Sequence, residues 1–257
     1  MTVVKPNTTR EHSRGTAQYD CIGENYSSNR KADPRIGQLI TSALGDAKTI
    51  INVGAGTGSY EPIDRDVIAV EPSEKMIAQR PSSSALAICA SAESLPFDDD
   101  SFDAAMAILT IHHWSDQDKG LQEIRRVARK RIVILTFDPD ARPWPTRYFP
   151  KLAELDAVAM PSLESLTRRL GKSEVRIVPI PHDCQDGFLY AYWHRPEAYL
   201  DEALRSGSSS FWKIGDVSAG LSDLERDLET GDWHRSHKNL LDQETYDAGY
   251  RLIVAEL

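Results

Sequence analysis

The sequence predicts an α/β fold with a mostly parallel, Rossmann-like sheet. Residues 49–53 form a short apolar run rich in β-branched residues, and a glycine turn over residues 54–58 follows it. A second apolar run, residues 66–70, ends on Glu71, and residues 104–110 read as a central parallel strand buried on both faces. A strand, a glycine turn and a second strand ending in an acid are the parts with which a Rossmann-type sheet holds a nucleotide-like ligand.

Length and charge limit the class of protein. The 257 residues allow one α/β domain with an elaboration, and 40% of them are hydrophobic, which is ordinary for a globular protein. The net charge of −9 argues against nucleic acid or an anionic membrane as the main partner, because both require a basic surface. No run is long and apolar enough to span a bilayer, and the polar start of the chain predicts a cytoplasmic location.

The cysteines and the beginning of the chain carry less information. Cys21, Cys89 and Cys184 are widely spaced, so they predict neither a disulfide scaffold nor a zinc ribbon, and Cys89 is expected to be buried. Residues 1–18 predict a mobile tail, and the core is expected to span residues 19–184. Asp33 and Pro34 predict the start of a helix that Gly45 ends, because Ile36, Leu39, Ile40, Ala43 and Leu44 recur at helical spacing.

The glycine turn does not fit a dinucleotide. Its spacing is G-x-G-x-G, whereas the dinucleotide fingerprint is G-x-G-x-x-G. The connection from Gly58 to the second strand is short and contains Pro62, so little more than one helical turn fits there. A helix that would direct its N-terminus at a pyrophosphate is therefore nearly absent, and NAD is disfavoured.

Two motifs carry a resemblance to a known family. Val-Gly-Ala-Gly-Thr-Gly, followed by Ala-Val-Glu-Pro-Ser, resembles the first two motifs of class I S-adenosylmethionine (SAM)-dependent methyltransferases. Residues 91–103, Ser-Ala-Glu-Ser-Leu-Pro-Phe-Asp-Asp-Asp-Ser-Phe-Asp, resemble the signature of the methyltransferase type 11 group, which includes the ubiquinone/menaquinone-biosynthesis methyltransferases. Ser91 replaces the leading Asp of that signature, and a serine hydroxyl binds the adenine amino group more weakly than a carboxylate does. The match covers residues 49–137 and thins beyond them.

The resemblance implies a fold, a cofactor and a set of binding residues. The fold is a seven-stranded sheet whose last strand is antiparallel, with helices on both faces, and the cofactor is SAM. Glu71 would accept hydrogen bonds from the ribose hydroxyls, and Tyr26 and Arg30 would contact the SAM carboxylate, unless they are a packing tyrosine and a solvated arginine. Met76 would pack on adenine or be ordinary core filler. The other implied cofactor-binding residues are Gly54, Ala55, Gly56, Gly58, Pro72, Ser91, Ala92, Glu93, Ala107 and Ile108.

The rest of the chain predicts further core elements and a cap. Ser115 is expected to cap a helix, the fifth strand over residues 132–137 follows a tight corner, and a helix contains Tyr148, Leu152, Leu155 and Val158. A helix over residues 162–170 and a sixth strand over residues 175–180 follow. Residues 185–243 predict an inserted helical cap, and residues 244–257 the final core strand, starting near Asp247. The aromatic residues of the cap either form a small core of their own or wall a substrate pocket.

The reaction that the resemblance implies needs little chemical catalysis from side chains. Methyl transfer is an in-line displacement at an activated methyl group, so positioning alone can supply roughly 7–11 kcal/mol. A general base is needed only if the acceptor is protonated. The candidate bases are His113, His182 and His112, with Asp183 beside them, although each histidine could equally be a structural hydrogen-bonding residue. No metal site is predicted, since His234 and His237 have no evident third ligand.

The sequence therefore predicts a SAM-dependent methyltransferase that acts on a small-molecule acceptor as a monomer or homodimer, without nucleic-acid or membrane partners. Two alternatives remain open: an enzyme of the same fold that binds SAM but performs other chemistry, and a non-catalytic SAM-binding protein. The acceptor and the atom that receives the methyl group are not identified.

Overall fold

A seven-stranded sheet forms the centre of the protein. The computed structural model describes residues 30–257, so the predictions for the tail (residues 1–18), Cys21 and Tyr26 lie outside the described residues. The strand order is β3-β2-β1-β4-β5-β9-β6. These strands are β1 (Thr49–Val53), β2 (Asp66–Val70), β3 (Leu86–Ile88), β4 (Phe102–Ile108), β5 (Ala128–Phe137), β6 (Ser173–Ile177) and β9 (Tyr250–Glu256). Two short strands, β7 (Ile180–Pro181) and β8 (Thr245–Tyr246), pair separately.

The strand directions confirm the predicted sheet. β1 to β5 pair in parallel, whereas β9 runs antiparallel to both β5 and β6. In the centre, Ile51 of β1 pairs with Ile68 on one side and Ala105 on the other. The carboxyl ends of β1, β2 and β4 consequently meet at one edge of the sheet, and the glycine turn and Glu71 lie there.

Helices connect the strands and cover both faces of the sheet. In chain order they are α1 (Pro34–Ala43), α2 (Glu74–Ala78), α3 (Gln117–Val127), α4 (Pro145–Tyr148), α5 (Pro150–Ala159), α6 (Leu163–Leu170), α7 (Glu202–Arg205), α8 (Ser209–Lys213), α9 (Ser218–Glu229), α10 (Asp232–Ser236) and α11 (Lys238–Leu241). Short 3₁₀ turns occupy Ile111–His113 and Pro196–Tyr199.

Alternate side chains of the strands feed two hydrophobic cores. On one face, Ile50 and Met106 pack with α1 and with the aromatic residues of the C-terminal half. On the other face, Ile51 and Ala105 pack with the apolar stripes of α3 and α6. The period of two along each strand thus explains why both faces are apolar and why helices cover both.

Two predicted connections are confirmed. The structure has no helix between β1 and β2, as the short segment with Pro62 indicates. α3 ends at Val127 and β5 begins at Ala128, so no turn separates them. α1 also begins as predicted, because the Asp33 carboxylate accepts from the Arg35 N–H at 3.0 Å and Pro34 is the first helical residue.

Several element boundaries differ from the prediction. The helix expected through Tyr148 and Val158 is two helices, because Phe149 precedes Pro150 and adopts φ −125° and ψ 67°, outside the helical region. The sixth strand ends at Ile177 instead of residue 180, since Pro179 has no N–H for the ladder. The final strand starts at Tyr250, not near Asp247.

Two side-chain predictions are also wrong. Asp116, and not Ser115, caps α3, and its carboxylate accepts from the Lys119 N–H at 3.0 Å. Cys89 is exposed, because it follows the edge strand β3 and no element covers it.

The segment between β7 and β8 carries the predicted cap helices. Its aromatic residues do not form a separate core: Trp193, Trp233 and Tyr199 cluster with Trp144 and belong to the core on the same face as α1. The Trp144 indole N–H donates to the Trp193 carbonyl at 2.8 Å. The inserted segment is therefore packed firmly on the chain that follows β5. Across residues 30–257, no helix has the length and apolar character needed to cross a membrane.

Candidate functional site

The glycine turn closes against the ends of two neighbouring strands. The Gly54 and Ala55 N–H groups both donate to the Val70 carbonyl, at 2.8 and 3.0 Å. Gly54 has φ +72°, and a Cβ at this position would lie 2.0 Å from Thr110 Oγ1 at the end of β4. Only glycine fits here, so the turn brings backbone to the carboxyl edge of the sheet without a side chain in between.

The carboxylate of Glu71 is held beside this turn. It is 8% exposed, and it accepts from the Gly56 N–H (2.8 Å to Oε2) and the Ser73 N–H (3.0 Å to Oε1). Burial raises the pKa of Glu71, and the two N–H donors and the charge of Arg80 oppose that rise. Each oxygen keeps a further lone pair, so the carboxylate can accept from two adjacent ligand hydroxyls. Pro72, which follows, is exposed.

Buried groups support the turn from below. Met76 of α2 is 4% exposed, and its Cε lies 3.5 Å from the position of a Cβ on Gly56. Gly58 has φ +93° and packs on Arg80 and Glu61. These two form a buried ion pair at 2.7 Å, and Arg80 Nη1 donates to the Gly56 carbonyl at 3.1 Å. Sequence analysis missed this pair, whose partners are separated by 19 positions.

The segment after β3 lies at the same edge of the sheet, and one of its residues, Glu93, binds the start of α3. Ser91 is half-buried and Ala92 is buried. The Glu93 carboxylate accepts from the Ser115 N–H at 2.7 Å and the Asp116 N–H at 3.1 Å. These hydrogen bonds go to Oε1, so Glu93 ties this segment to the start of α3, and a contact of Glu93 with the cofactor stays a prediction.

The end of β4 has a strained backbone. Ala107 is buried, Ile108 is half-buried, and Leu109 adopts φ +53°, which is unusual for a residue with a branched side chain. The Leu109 N–H still donates to the Leu135 carbonyl at 2.8 Å. Such strain is typical of sites where the chain is bent to present particular residues. Here the bend leads directly into the 3₁₀ turn that carries the two adjacent histidines.

His112 and His113 lie side by side at this edge. Their ring centroids are 3.8 Å apart. Burial lowers the pKa of His112 to about 3, with a further contribution from the positive charge of Lys213. Burial also lowers the pKa of His113 well below its ordinary value, and His112 and Lys213 add to the effect. Both rings are therefore neutral at pH 7 and present nitrogen and apolar ring surface rather than positive charge.

His182 is not brought to the two adjacent histidines. It follows β7, its Nε2 lies 3.5 Å from Glu244 Oε2, and its ring centroid is 5.4 Å from that of His194. Asp183 is exposed and pairs with Arg35 at 2.7 Å. Because β6 ends early, the chain turns into the small β7–β8 sheet before it reaches the ligand edge. Neither His182 nor Asp183 lines the cavity that contains His112 and His113, and a catalytic role for His182 stays a prediction.

Arg30 reaches the site from the N-terminal side. Its Nε lies 2.5 Å from Oδ1 of Asp186, a fully buried carboxylate that also accepts from the Tyr60 hydroxyl at 2.8 Å. A role for Arg30 at the SAM carboxylate stays a prediction, and Tyr26 lies outside the described residues. Sequence analysis missed Asp186, which lies 156 positions from Arg30 and is recognisable only once the chain has folded.

A small cavity of about 70 Å³ lies between the end of β4 and the inserted segment. His112, His113 and Leu109 form its sheet side. Sequence analysis missed two of its polar residues, Asp156 and Tyr250. Asp156 has one sequence signal, its position on α5 four residues after the buried Leu152 and hence on the same helix face. Tyr250 has no such signal. The remaining lining residues are Arg30, Phe137, Met160, Phe188, Leu189, Gly207, Ser208, Ser209 and Ser210.

Metal ligands do not cluster in the part of the chain that the structure describes. Within residues 30–257, no group of three histidine, cysteine, aspartate or glutamate side chains could hold an ion together. The groups that converge at the ligand edge of the sheet are the glycine turn, the Glu71 carboxylate and the residues that line the cavity.

Comparison with known proteins identifies the family. A family model described as a methyltransferase domain matches residues 51–135. A solved structure with the same fold is described as a methyltransferase from an antibiotic biosynthesis pathway of Anabaena variabilis ATCC 29413. It is 36% identical, with a TM-score of 0.81, and the alignment covers 89% of this chain and 99% of that one.

Curated relatives match over shorter stretches. The tRNA (carboxymethyluridine(34)-5-O)-methyltransferase alkbh8 of Xenopus tropicalis is 31% identical over 118 residues, which are 44% of this chain and 19% of that protein. The ubiquinone/menaquinone biosynthesis C-methyltransferase UbiE of Geobacter sp. strain M21 is 32% identical over 117 residues, covering 39% of this chain and 50% of that one. The chain thus spans at most half the length of these two relatives.

The described residues fit the cofactor of this family, S-adenosylmethionine. Glu71 keeps the acceptor capacity that a ribose diol needs, and the Gly54 cradle, which a Cβ would fill, lets a ligand approach the backbone. The sheet order, the antiparallel last strand and the nearly complete overlap with the Anabaena variabilis protein agree with this fit. The chain belongs to the class I S-adenosylmethionine-dependent methyltransferases, in the methyltransferase type 11 group.

Proposed function

We propose that the chain methylates a small-molecule acceptor that binds in the cavity between the end of β4 and the inserted segment. The observation that carries the proposal is the cavity itself, which is lined by His112 and His113 on the sheet side and by Asp156 on the other. Its volume of about 70 Å³ accommodates only a small group, so it would receive only the reacting end of the acceptor. An acceptor that fills this space would displace water from the reacting atoms.

The residues at the sheet edge would bind different parts of the cofactor. SAM supplies a methyl group on a positively charged sulfur, which is already a good leaving group. Glu71 would bind the ribose hydroxyls, and Gly54 and Gly56 would let the cofactor approach the backbone of the turn. Met76 and Ala92 would flank the base, and Ala107 and Ile108 would border the methionine part. The chain thus contributes mainly by holding two reactants in line, and this positioning is the chief requirement of a displacement at an activated methyl group.

The low pKa values of the two histidines change the role proposed for them. A group whose conjugate acid has a pKa of about 3, as for His112, removes protons poorly at pH 7. We therefore propose that His112 and His113 wall the cavity as neutral rings instead of acting as general bases. A neutral nucleophile on the acceptor needs no base for the transfer itself.

A nucleic-acid acceptor is the second candidate, and one observation favours it. Two relatives, from Xenopus tropicalis and Saccharomyces cerevisiae, are named as tRNA methyltransferases, and the matched stretches are 19% and 42% of those proteins. The net charge of −9 opposes it, because RNA binding requires a basic surface. The Anabaena variabilis protein aligns with 89% of this chain over 99% of its own length. It is described as belonging to an antibiotic biosynthesis pathway, and that favours a small molecule.

The test offers both acceptor classes side by side. The purified chain would be incubated with methyl-labelled SAM and either a small-molecule metabolite fraction or a total tRNA fraction. We expect label transfer and S-adenosylhomocysteine formation with the first fraction only. Label in tRNA would overturn the small-molecule proposal, and cofactor turnover without a labelled product would indicate different chemistry.

Replacing Glu71 by glutamine should weaken S-adenosylhomocysteine binding about tenfold or more. The substitution removes the charge that strengthens hydrogen bonds from the ribose, and charge-assisted bonds are roughly twice as strong as neutral ones. The dissociation constant would be measured by calorimetric titration. Glu74→Gln is the matched control, because Glu74 is exposed on α2 three positions away and the change in charge is the same. An unchanged affinity in Glu71→Gln would refute the ribose assignment.

A further inference from the structure

A carboxylate lies on the apolar face of α5. Leu152 and Asp156 are the two buried residues of this helix, and Asp156 is only 2% exposed. Burial at a position where helical spacing calls for an apolar residue is costly for a charged group. Burial raises the pKa of Asp156 to about 6, against the hydrogen bond from Tyr190 and the charge of Arg142, which lower it. At pH 7 the group is still mostly ionised.

Only one of the two oxygens of this carboxylate accepts a hydrogen bond from residues 30–257. The Tyr190 hydroxyl donates to Asp156 Oδ2 at 2.7 Å. No donor among residues 30–257 binds Oδ1. Arg142 does not bind it directly, because Arg142 Nη1 donates to the carbonyls of Pro139 and Ala141. Because Asp156 lines the cavity, Oδ1 is the part of it that a ligand can reach.

The other lining groups leave this charge uncompensated. Arg30, the cation that lines the same cavity, is paired with the buried Asp186. His112 and His113 are neutral at pH 7. The Tyr250 hydroxyl donates to the Leu189 carbonyl. A ligand group that donates a hydrogen bond to Asp156 would therefore bind with a more favourable free energy than a group that brings a second negative charge.

We infer that Asp156 is an acceptor-binding residue, whose Oδ1 accepts a hydrogen bond from an N–H or O–H group of the methyl acceptor. The inference rests on the proposed function, and it deepens it by naming the substrate class. The acceptor presents an amine or a hydroxyl to the cavity, and not a carboxylate. The Tyr190 hydroxyl binds the other oxygen, Oδ2.

Small probes can test this before the natural acceptor is identified. The probes are ethylammonium chloride, ethanol and sodium acetate at matched ionic strength: a cationic donor, a neutral donor and an anion without a donor. The chain would be labelled with ¹³C at its methionine methyl groups and saturated with S-adenosylhomocysteine. Met160 lines the cavity and reports probe binding. Met76 lies beside the glycine turn and reports cofactor binding. The signals would be assigned with the variants Met160→Leu and Met76→Leu.

In the wild-type chain, ethylammonium or ethanol should shift the Met160 signal with an apparent dissociation constant at least tenfold lower than that of acetate. Asp156→Asn should remove this preference and leave the response of Met76 to S-adenosylhomocysteine unchanged. Glu154→Gln is the matched control, because it removes the same charge from the exposed side of the same helix and should change nothing. Tyr190→Phe keeps the carboxylate and should keep the preference.

The outcomes separate this inference from the proposed function. A Met76 signal that does not respond to S-adenosylhomocysteine would refute the cofactor site and leave the comparison of probes at Met160 intact. Acetate binding as tightly as the donors, no probe shifting Met160, or an unchanged preference in Asp156→Asn would each overturn the role of Asp156. Loss of the preference in Tyr190→Phe would overturn it as well, since binding would then belong to the tyrosine hydroxyl. A response to ethylammonium alone would assign an amine acceptor, and a response to ethanol alone a hydroxyl acceptor.

Discussion

Replacing Arg80 by methionine is expected to lower the free energy of unfolding by about 3–5 kcal/mol. Arg80 and Glu61 are 5% and 8% exposed, and both Glu61 oxygens accept from Arg80 Nη2, at 2.7 and 2.8 Å. The substitution leaves the Glu61 charge buried with only neutral donors, Asn52 Nδ2 at 3.1 Å and the Ala85 N–H at 3.1 Å. A buried charge that loses its partner costs far more than a broken surface pair. Urea denaturation at pH 7 would measure the loss.

Two further variants test the cause of that loss. Arg176→Met breaks an ion pair with Glu174 whose side chains are 46% and 61% exposed, so it should cost less than about 1 kcal/mol. Combining Arg80→Met with Glu61→Gln removes both charges and keeps an acceptor for Asn52 Nδ2. The double variant should therefore be more stable than Arg80→Met alone. If it is less stable, the loss comes from packing rather than from an unpaired charge.

The same pair connects stability to the cofactor site. Arg80 also donates to the Gly56 carbonyl, and Gly58 packs between Arg80 and Glu61. The position of the turn beside Glu71 thus depends on the buried pair below it. Arg80→Met is accordingly expected to weaken S-adenosylhomocysteine binding as well, under conditions where the variant remains folded.

Local patterns explain what could be predicted. The strand that ends in the glycine turn, the acid after β2 and the capped start of α1 each depend on a few adjacent residues, so the sequence displays them directly. The seven-stranded sheet and its antiparallel last strand followed from a family resemblance over residues 49–137. The same resemblance indicated the cofactor, and the residues that it implies for cofactor binding stay predictions.

Long-range packing explains why other features could not be predicted from the sequence. Asp156 and Tyr190 are 34 positions apart, and Arg30 and Asp186 are 156 apart, so no local pattern pairs them. His182 was a candidate because it follows a strand. The strand ends early, at Ile177, because Pro179 follows it, and His182 lies after the small strand β7. Glu93 matched a motif position, and the N–H groups at the start of α3 that bind its Oε1 lie 22 and 23 positions away.

Asp156→Asn should raise the free energy of unfolding at pH 7, by at most about 3 kcal/mol. The pKa of Asp156 is about 6 in the folded chain, against an ordinary value of 3.8, and each pKa unit corresponds to about 1.4 kcal/mol. Because the folded pKa is raised, the folded chain holds a proton between pH 3.8 and 6 that the unfolded chain has released. The wild-type free energy of unfolding therefore falls as pH rises through this window. Asparagine carries no charge, so the variant avoids this loss and still accepts from Tyr190.

The difference between the two proteins isolates this single group. The titratable and charged groups around Asp156 are Tyr190, Tyr250, Arg142, Arg30, His112 and His113, and all of them are present in both chains. Urea denaturation of both chains from pH 4 to pH 8 should show the full advantage of the variant above about pH 6 and almost none near pH 4. A variant less stable than wild type at pH 7 would identify Asp156 as a structural partner of Tyr190. A more stable variant that has lost its preference for donor probes would mean that the chain keeps a destabilising charge in its core, and binding of the methyl acceptor is the function that accounts for keeping it.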